Sequence, residues 1–293
     1  MRARRALEPF WGRSGTMLQP GGSEAMLAGV TILFNAWLDA PLWAILAALA
    51  LGFGATGWVW HALLFRWPGR ALARGLAGVA PPLFGTVGLL FSLLSGFVAS
   101  DIWDTQRRAG RAVQTERDAV AALQILSEST QPVPEDAALR LALREYVAAV
   151  VDDEWPSMTG QRPSVRADAA VSGLLRVAAS PGLAARVGPV VQDAMLQLVQ
   201  VLRGARNERL SISTGHYDGM KWAAVLSLAL LAQLALALVH LDGSRAHVAA
   251  LSVFTAAVVL VLGLLAVRER PFDGAYALPD TPLRQLLPGL PPA

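Results

Sequence analysis

The sequence predicts an all-α integral membrane protein, with four transmembrane helices and a cytoplasmic helical bundle inserted between the second and third spans. Three observations carry this. Of 293 residues, 54% are hydrophobic and only 16% are charged, against roughly a quarter charged in an ordinary soluble domain. The uncharged residues gather into four blocks, each close to the roughly 20 residues that cross a 30 Å hydrocarbon core at 1.5 Å per residue. The segment 101–219 between the second and third blocks is charged and repeats its apolar residues at helical spacing.

The chain opens with an Arg-rich and Gly-rich stretch, Met1 to Gly22, whose composition reads as disorder. It has no apolar core of the kind a secretory signal needs, so no cleavage is expected. Met17 and Met26 are alternative starts. Ala25 to Leu38 is apolar but short for a span, and Asp39 and Pro41 interrupt it. Residues 1–40 therefore form a disordered or interfacial lead.

The first span is 41–65, from Pro41 to Phe65, with Trp58 and Trp60 as interfacial anchors and His61 near the boundary. The second is 75–100, from Gly75 to Ser100, closing at Asp101. Together, 41–100 is a transmembrane hairpin. The third span, 222–240, runs from Trp222 to His240 and holds Gln233, and the fourth, 248–267, runs from Val248 to Val267. The short link from Leu241 to His247 makes 220–268 a second hairpin, followed by a cytoplasmic tail, 269–293. In lipid every backbone polar group must be satisfied internally, so all four spans are helices.

Orientation follows from the arginines, because Lys221 is the only lysine. Arg107, Arg108, Arg111, Arg117, Arg203, Arg206, Arg209, Lys221, Arg268 and Arg270 flank one side. Arg66, Arg70, Arg74 and Arg245 flank the other. The positive-inside rule puts both termini and the inserted segment on the cytoplasmic side.

Within that segment, Asp101 to Glu128 meets no proline before Pro132, so the second span and the helix below it can be one rod. Pro134 to Trp155 places Leu139, Leu143, Tyr146, Val147 and Val150 on one face. A weaker helix spans Val165 to Ala179, and a further one repeats Val187, Val190, Val191, Ala194, Leu198, Val201 and Leu202 on one apolar face. These helices should pack as a compact bundle.

Little in the chain supports catalysis. There is no cysteine, which excludes disulfides and thiolate chemistry. Gly52, Gly54 and Gly57 form a GxGxxG string in mid-span with no strand before it, so it reads as close helix packing rather than dinucleotide binding. His61, His216, His240 and His247 lack metal-ligand spacing; His240 and His247 can approach across the hairpin beside Asp242, but solvation at the interface is the reading their place at span ends favours. No HExxH or GxSxG occurs. We therefore expect no enzyme, cofactor or metal, and a net charge of +3 on a membrane protein points to orientation rather than nucleic acid.

The strongest local cluster is Asp152, Asp153 and Glu154, followed by Trp155 and Pro156. Pro156 is expected to stop the helix, which leaves three acids against its C-terminal dipole. Acids so placed call for cations. Either Arg203, Arg206 or Arg209 pairs with them, or they bind a cation.

The run GLLFSLLSGFVASDIWD (Gly88 to Asp104), the helix centred on Glu116, DEWP (Asp153 to Pro156), RNERL (Arg206 to Leu210) and RPFDG (Arg270, Pro271, Phe272, Asp273, Gly274) resemble a bacterial membrane family labelled bestrophin-like. The resemblance covers most of the chain from about Pro41 onward. It departs from the family at Gly215 to Lys221, where a proline-containing approach to the third span is expected. It implies a homo-oligomer related to anion channels. Two functions follow: an oligomeric membrane channel of unassigned ion, or a non-conducting membrane protein whose cytoplasmic bundle binds or regulates a protein partner.

For a channel, the second span is the candidate pore helix. Gly85, Gly88, Ser92, Ser95, Gly96 and Ala99 share one face, suited to close helix approach. Leu90, Leu94 and Phe97 share the opposite face, continued by Asp101, Asp104 and Arg108. That line is either a lipid-facing stripe or an apolar constriction opening into a charged vestibule. Acids at the mouth favour cations, whereas the resemblance implies anions.

Overall fold

The computed structural model describes residue 37, residues 40–66, residue 75 and residues 78–128, 134–158, 163–215, 219–241, 243–274 and 276–291. The disordered stretch and lead-in helix expected in 1–40 lie outside the described residues, apart from Trp37 and Ala40. So do Arg70, Arg74, His216 and Asp242. Among the described residues every regular element is helical.

Helix α1 (Leu42–Arg66) is the first span. Helix α2 (Ala80–Glu128) begins at Ala80 rather than Gly75, because Pro81 and Pro82 fit a helix only in its first turn. It is 49 residues long, about 73 Å at 1.5 Å per residue. The second span and the helix beyond it are thus one rod.

Helix α3 (Pro134–Ala149) runs into a π-helical turn, Val150–Glu154, and then into the short α4 (Trp155–Met158). Pro156 does not stop the helix, as its sequence position suggests. A proline lacks an N–H and crowds the carbonyl four residues back. The π turn relieves this by shifting the register, with the Trp155 N–H bonded to the Val150 carbonyl. The three acids therefore sit inside a continuing helix and not at its negative end.

Helix α5 (Val165–Ala178) is capped by Ser164, whose hydroxyl accepts from the Ala167 N–H at 3.1 Å. Helix α6 (Pro181–Val187) is capped in the same way by Ser180. Helix α7 (Pro189–Ser213) follows after Gly188, whose φ of +79° and ψ of 160° suit only glycine. Gly188 and Pro189 thus break the single helix expected from Val187, and the face that α7 buries is Met195, Val199 and Leu202, with Val190, Ala194 and Val201 of the expected face left exposed. Helices α8 (Gly219–Val239) and α9 (Ser244–Arg268) complete the membrane set.

Sequence-adjacent spans are not each other's main partners. Helix α1 packs chiefly on α9, and α2 packs chiefly on α8 within the membrane and on α7 beyond it. The bundle core is built from Val120 and Leu123 of α2, Leu139, Leu143 and Tyr146 of α3, Leu174 of α5, Leu183 of α6 and Leu202 of α7. The last segment is no free tail. Helix α10 (Thr281–Arg284) and a 3-10 turn, Leu287–Gly289, bury Leu283 and Leu290 in that same core.

Between the spans, Gln233 is fully buried. Its amide donates to the Phe53 carbonyl at 2.8 Å and accepts from Thr56 Oγ1 at 2.7 Å. Gly57 faces this amide, while Gly52 and Gly54 face open space. Only the last glycine of the GxGxxG string packs closely.

Candidate functional site

Where the α2 rod leaves the membrane, its inward stripe Ala109, Ala112, Val113 and Val120 carries one charge, Glu116, which is fully buried. A buried carboxylate must be paired and hydrogen-bonded. Arg209 of α7 supplies this with a two-pronged contact, Nε to Oε2 at 2.7 Å and Nη2 to Oε1 at 3.0 Å. Tyr146 of α3 donates its hydroxyl to the same carboxylate. The Arg209 Nη2 also donates to Glu154 at 2.8 Å.

Glu154 is held a second time, by Arg206, through both Nε and Nη2. The remaining Nη1 of Arg206 reaches Asp168 of α5 at 2.7 Å. Glu116, Glu154, Arg206 and Arg209 are all at most 2% exposed, and Asp168 sits at the rim. Of the predicted acids, Glu154 is the one taken inside, because the π turn aims it there. Asp152 and Asp153 stay at the surface, with Asp153 accepting from the Ser164 hydroxyl.

The fields inside this cluster are strong. Burial, and next the Glu116 charge, push the Tyr146 phenol well above its ordinary value. Burial works against the charged form of Arg209, but Glu116 and Glu154 more than offset it and hold the guanidinium more firmly charged than usual. Arg206 behaves likewise, with Glu154 as its main opposing partner. Such a cluster locks four chain segments together. It offers no free acid, base or nucleophile.

The remaining motif residues close over it. The Trp155 ring lies 5.2 Å from the Arg209 guanidinium carbon and meets Phe272 edge to face at 5.9 Å. Pro271 and Phe272 are buried, Arg270 pairs with Asp273 at 2.9 Å, and Gly274 turns the chain at a φ of +80°. Pro156 stays exposed. DEWP, RNERL, RPFDG and Glu116, scattered in sequence, thus converge at one junction. Tyr146 and Asp168 were not recognised as part of it. A lone acid on an apolar helical stripe, as at Glu116, was the signal available.

A second set of ion pairs lies at the membrane end of the junction. Lys221 of α8 reaches Asp101 at 2.8 Å and Glu269 at 3.3 Å. Gln106 donates to the Arg268 carbonyl at 2.8 Å. Asp104 pairs with Arg107, and Arg108 with Glu208 across to α7. The acids Asp101 and Asp104 therefore both have cationic partners.

On the α2 span, Leu90 and Phe97 are exposed, 48% and 64%, whereas Leu94 is half-buried. Leu89 and Leu93 are exposed as well, 69% and 54%, so Leu89, Leu93 and Phe97 form a ridge at four-residue spacing. Ser95 on the small-residue face is buried, while Gly85, Ser92 and Gly96 are exposed. His247 is fully buried rather than solvated, with its Nδ1 3.1 Å from the His240 backbone carbonyl. No cluster suited to a metal occurs among the described residues.

Residues 48–283 match the family model of the Bestrophin-like domain. Two solved structures share the fold. One is a variant of a bacterial bestrophin homologue from Klebsiella pneumoniae, 17% identical, with a TM-score of 0.65 over 83% of this chain and 98% of that one. The other is a variant described only as a membrane protein, 16% identical, with a TM-score of 0.64 over the same shares. No curated protein matches the chain.

Proposed function

The chain belongs to the Bestrophin-like domain family, and on that premise we propose that it is a homo-oligomeric ion channel of a bacterial inner membrane. In this reading α2 of each subunit lines a shared pore, and the bundle between the second and third spans lies in the cytoplasm. One observation carries it: α2 is the span least covered by its own chain. Of its most apolar 18-residue stretch, 11% is buried, against 44% in α8, 28% in α9 and 22% in α1. A lone subunit cannot enclose a pore with four helices, and the least covered helix is the one left to meet its copies.

The exposed ridge of Leu89, Leu93 and Phe97, with Leu90 beside it, supplies an apolar constriction that gates by dewetting. Below it, Asp101 and Asp104 are each neutralised by a partner, whereas Arg111, exposed on the same side of the rod, has no ion-pair partner among the described residues. This balance favours anions at the mouth. The competing reading, a non-conducting protein with a docking bundle, rests on Val165 and Val190, exposed at 83% and 80%.

Purified protein in planar bilayers distinguishes the two. Replacing Leu93 and Phe97 by Ala should raise single-channel conductance severalfold. An assembled double variant that passes no more current than the parent makes the docking reading the better one.

A further inference from the structure

A groove of about 440 Å³ runs along the outside of the membrane helices between α1 and α9. Ala50, Gly54, Gly57 and His61 form one stripe of its wall, with Trp58 at its edge. The facing stripe is Val248, Ser252, Thr255, Ala256 and Val259. A side chain added at Gly54 would meet nothing within 4 Å, so the hollow is real space rather than a packed seam. A Cβ added at Gly57, by contrast, would meet the Gln233 amide at 3.4 Å.

Its length decides what fits. From Ala50 to His61 is eleven residues of rise, about 17 Å, close to half of the roughly 30 Å hydrocarbon thickness. The groove therefore has the depth of one leaflet. It ends at the interface beside His61, whose Nδ1 is buried without a hydrogen-bond partner among the described residues. One turn above Val248, on the same stripe of α9, stands the exposed Arg245, which has no ion-pair partner among the described residues. A neighbouring helix would not stop at mid-membrane, and a free anion would not need the apolar trench.

We propose that this groove holds one acyl chain of an anionic phospholipid, with the headgroup at Arg245 and His61. The apolar wall takes the chain. In lipid only the fit and the headgroup contacts remain, so occupancy is selective rather than tight.

The test uses the full chain in vesicles doped with phosphatidylglycerol bearing a photoreactive diazirine in its acyl chain. Adducts should concentrate on the groove-lining Gly54, Trp58, Ser252, Thr255, Ala256 and Val259, at least fivefold above Val253, which is 71% exposed and does not line the groove. A phosphatidylcholine probe with the same chain should label the groove severalfold less. Gly54→Leu with Ala256→Leu, confirmed as intact by size-exclusion profile, should remove the enrichment. Labelling at the groove no greater than at Val253 overturns the proposal without recourse to any variant, and so does enrichment that survives the filled groove. Equal labelling by both probes overturns the headgroup assignment.

Discussion

Arg209 is the residue on which the junction depends most directly, because it satisfies Glu116 and Glu154 together. Removing one partner of a buried ion pair leaves an uncompensated charge and costs about 3–5 kcal/mol. Arg209→Met should therefore lower unfolding stability by that amount in detergent, and a loss under about 1 kcal/mol would show the cluster to be incidental. A simple charge swap of Glu154 with Arg206 should not rescue, since the new cation would face Arg209. Tyr146 adds a pH dependence of definite sign. Its folded-state pKa lies above the unfolded value near 10, so folding favours the protonated phenol. That contribution is complete below about pH 10 and is lost as pH rises above it. Tyr146→Phe should cost about 1.5–3 kcal/mol at pH 8, the worth of a hydrogen bond to a charged group. The deficit should shrink above pH 10, as followed by thermal melts of parent and variant. At this scale the sequence was partly legible. Acids against a helix end pointed to arginines, and Glu154 does take two of them, but which acid turned inward depended on a π turn that no periodicity announces.

At the scale of elements, the spans and the long rod were readable because apolar length and the absence of proline are local properties. Pairing was not: α1 with α9 and α2 with α8 are contacts distant in sequence, and the uncharged blocks carry no register. Two breaks were misread in opposite directions. Pro156 was expected to end a helix that instead continues through a widened turn. Gly188 and Pro189 were expected to lie within a helix that instead stops. The second error is open to test. With φ at +79° and ψ at 160°, Gly188 occupies a region that a Cβ makes costly by about 1–3 kcal/mol. Space is not the obstacle, since nothing lies within 4 Å of an added Cβ. Gly188→Ala should destabilise the bundle by that amount through backbone strain alone, and an unchanged denaturant midpoint would remove the strain assignment.

At the scale of the whole molecule, one rod joins the two halves. The upper turns of α2 carry the exposed ridge and its lower turns carry Glu116, so the buried cluster and the proposed constriction lie on one continuous helix. The closing segment straps the same rod, with Gln124 donating to the Gly289 carbonyl at 2.9 Å. If copies of α2 surround an axis, Phe97 of each subunit must approach Phe97 of the others, whereas Leu51 of α1, exposed at 73%, faces lipid. The chain contains no cysteine, so a single introduced thiol reports without background. Phe97→Cys should give dimers under mild oxidation in the membrane, at a yield severalfold above Leu51→Cys. A short bifunctional thiol reagent should extend the Phe97→Cys products to a ladder ending at the subunit number. Cross-linking at position 51 but not at 97 would place α1 at the subunit contact, and the pore would then have to be sought on a different helix.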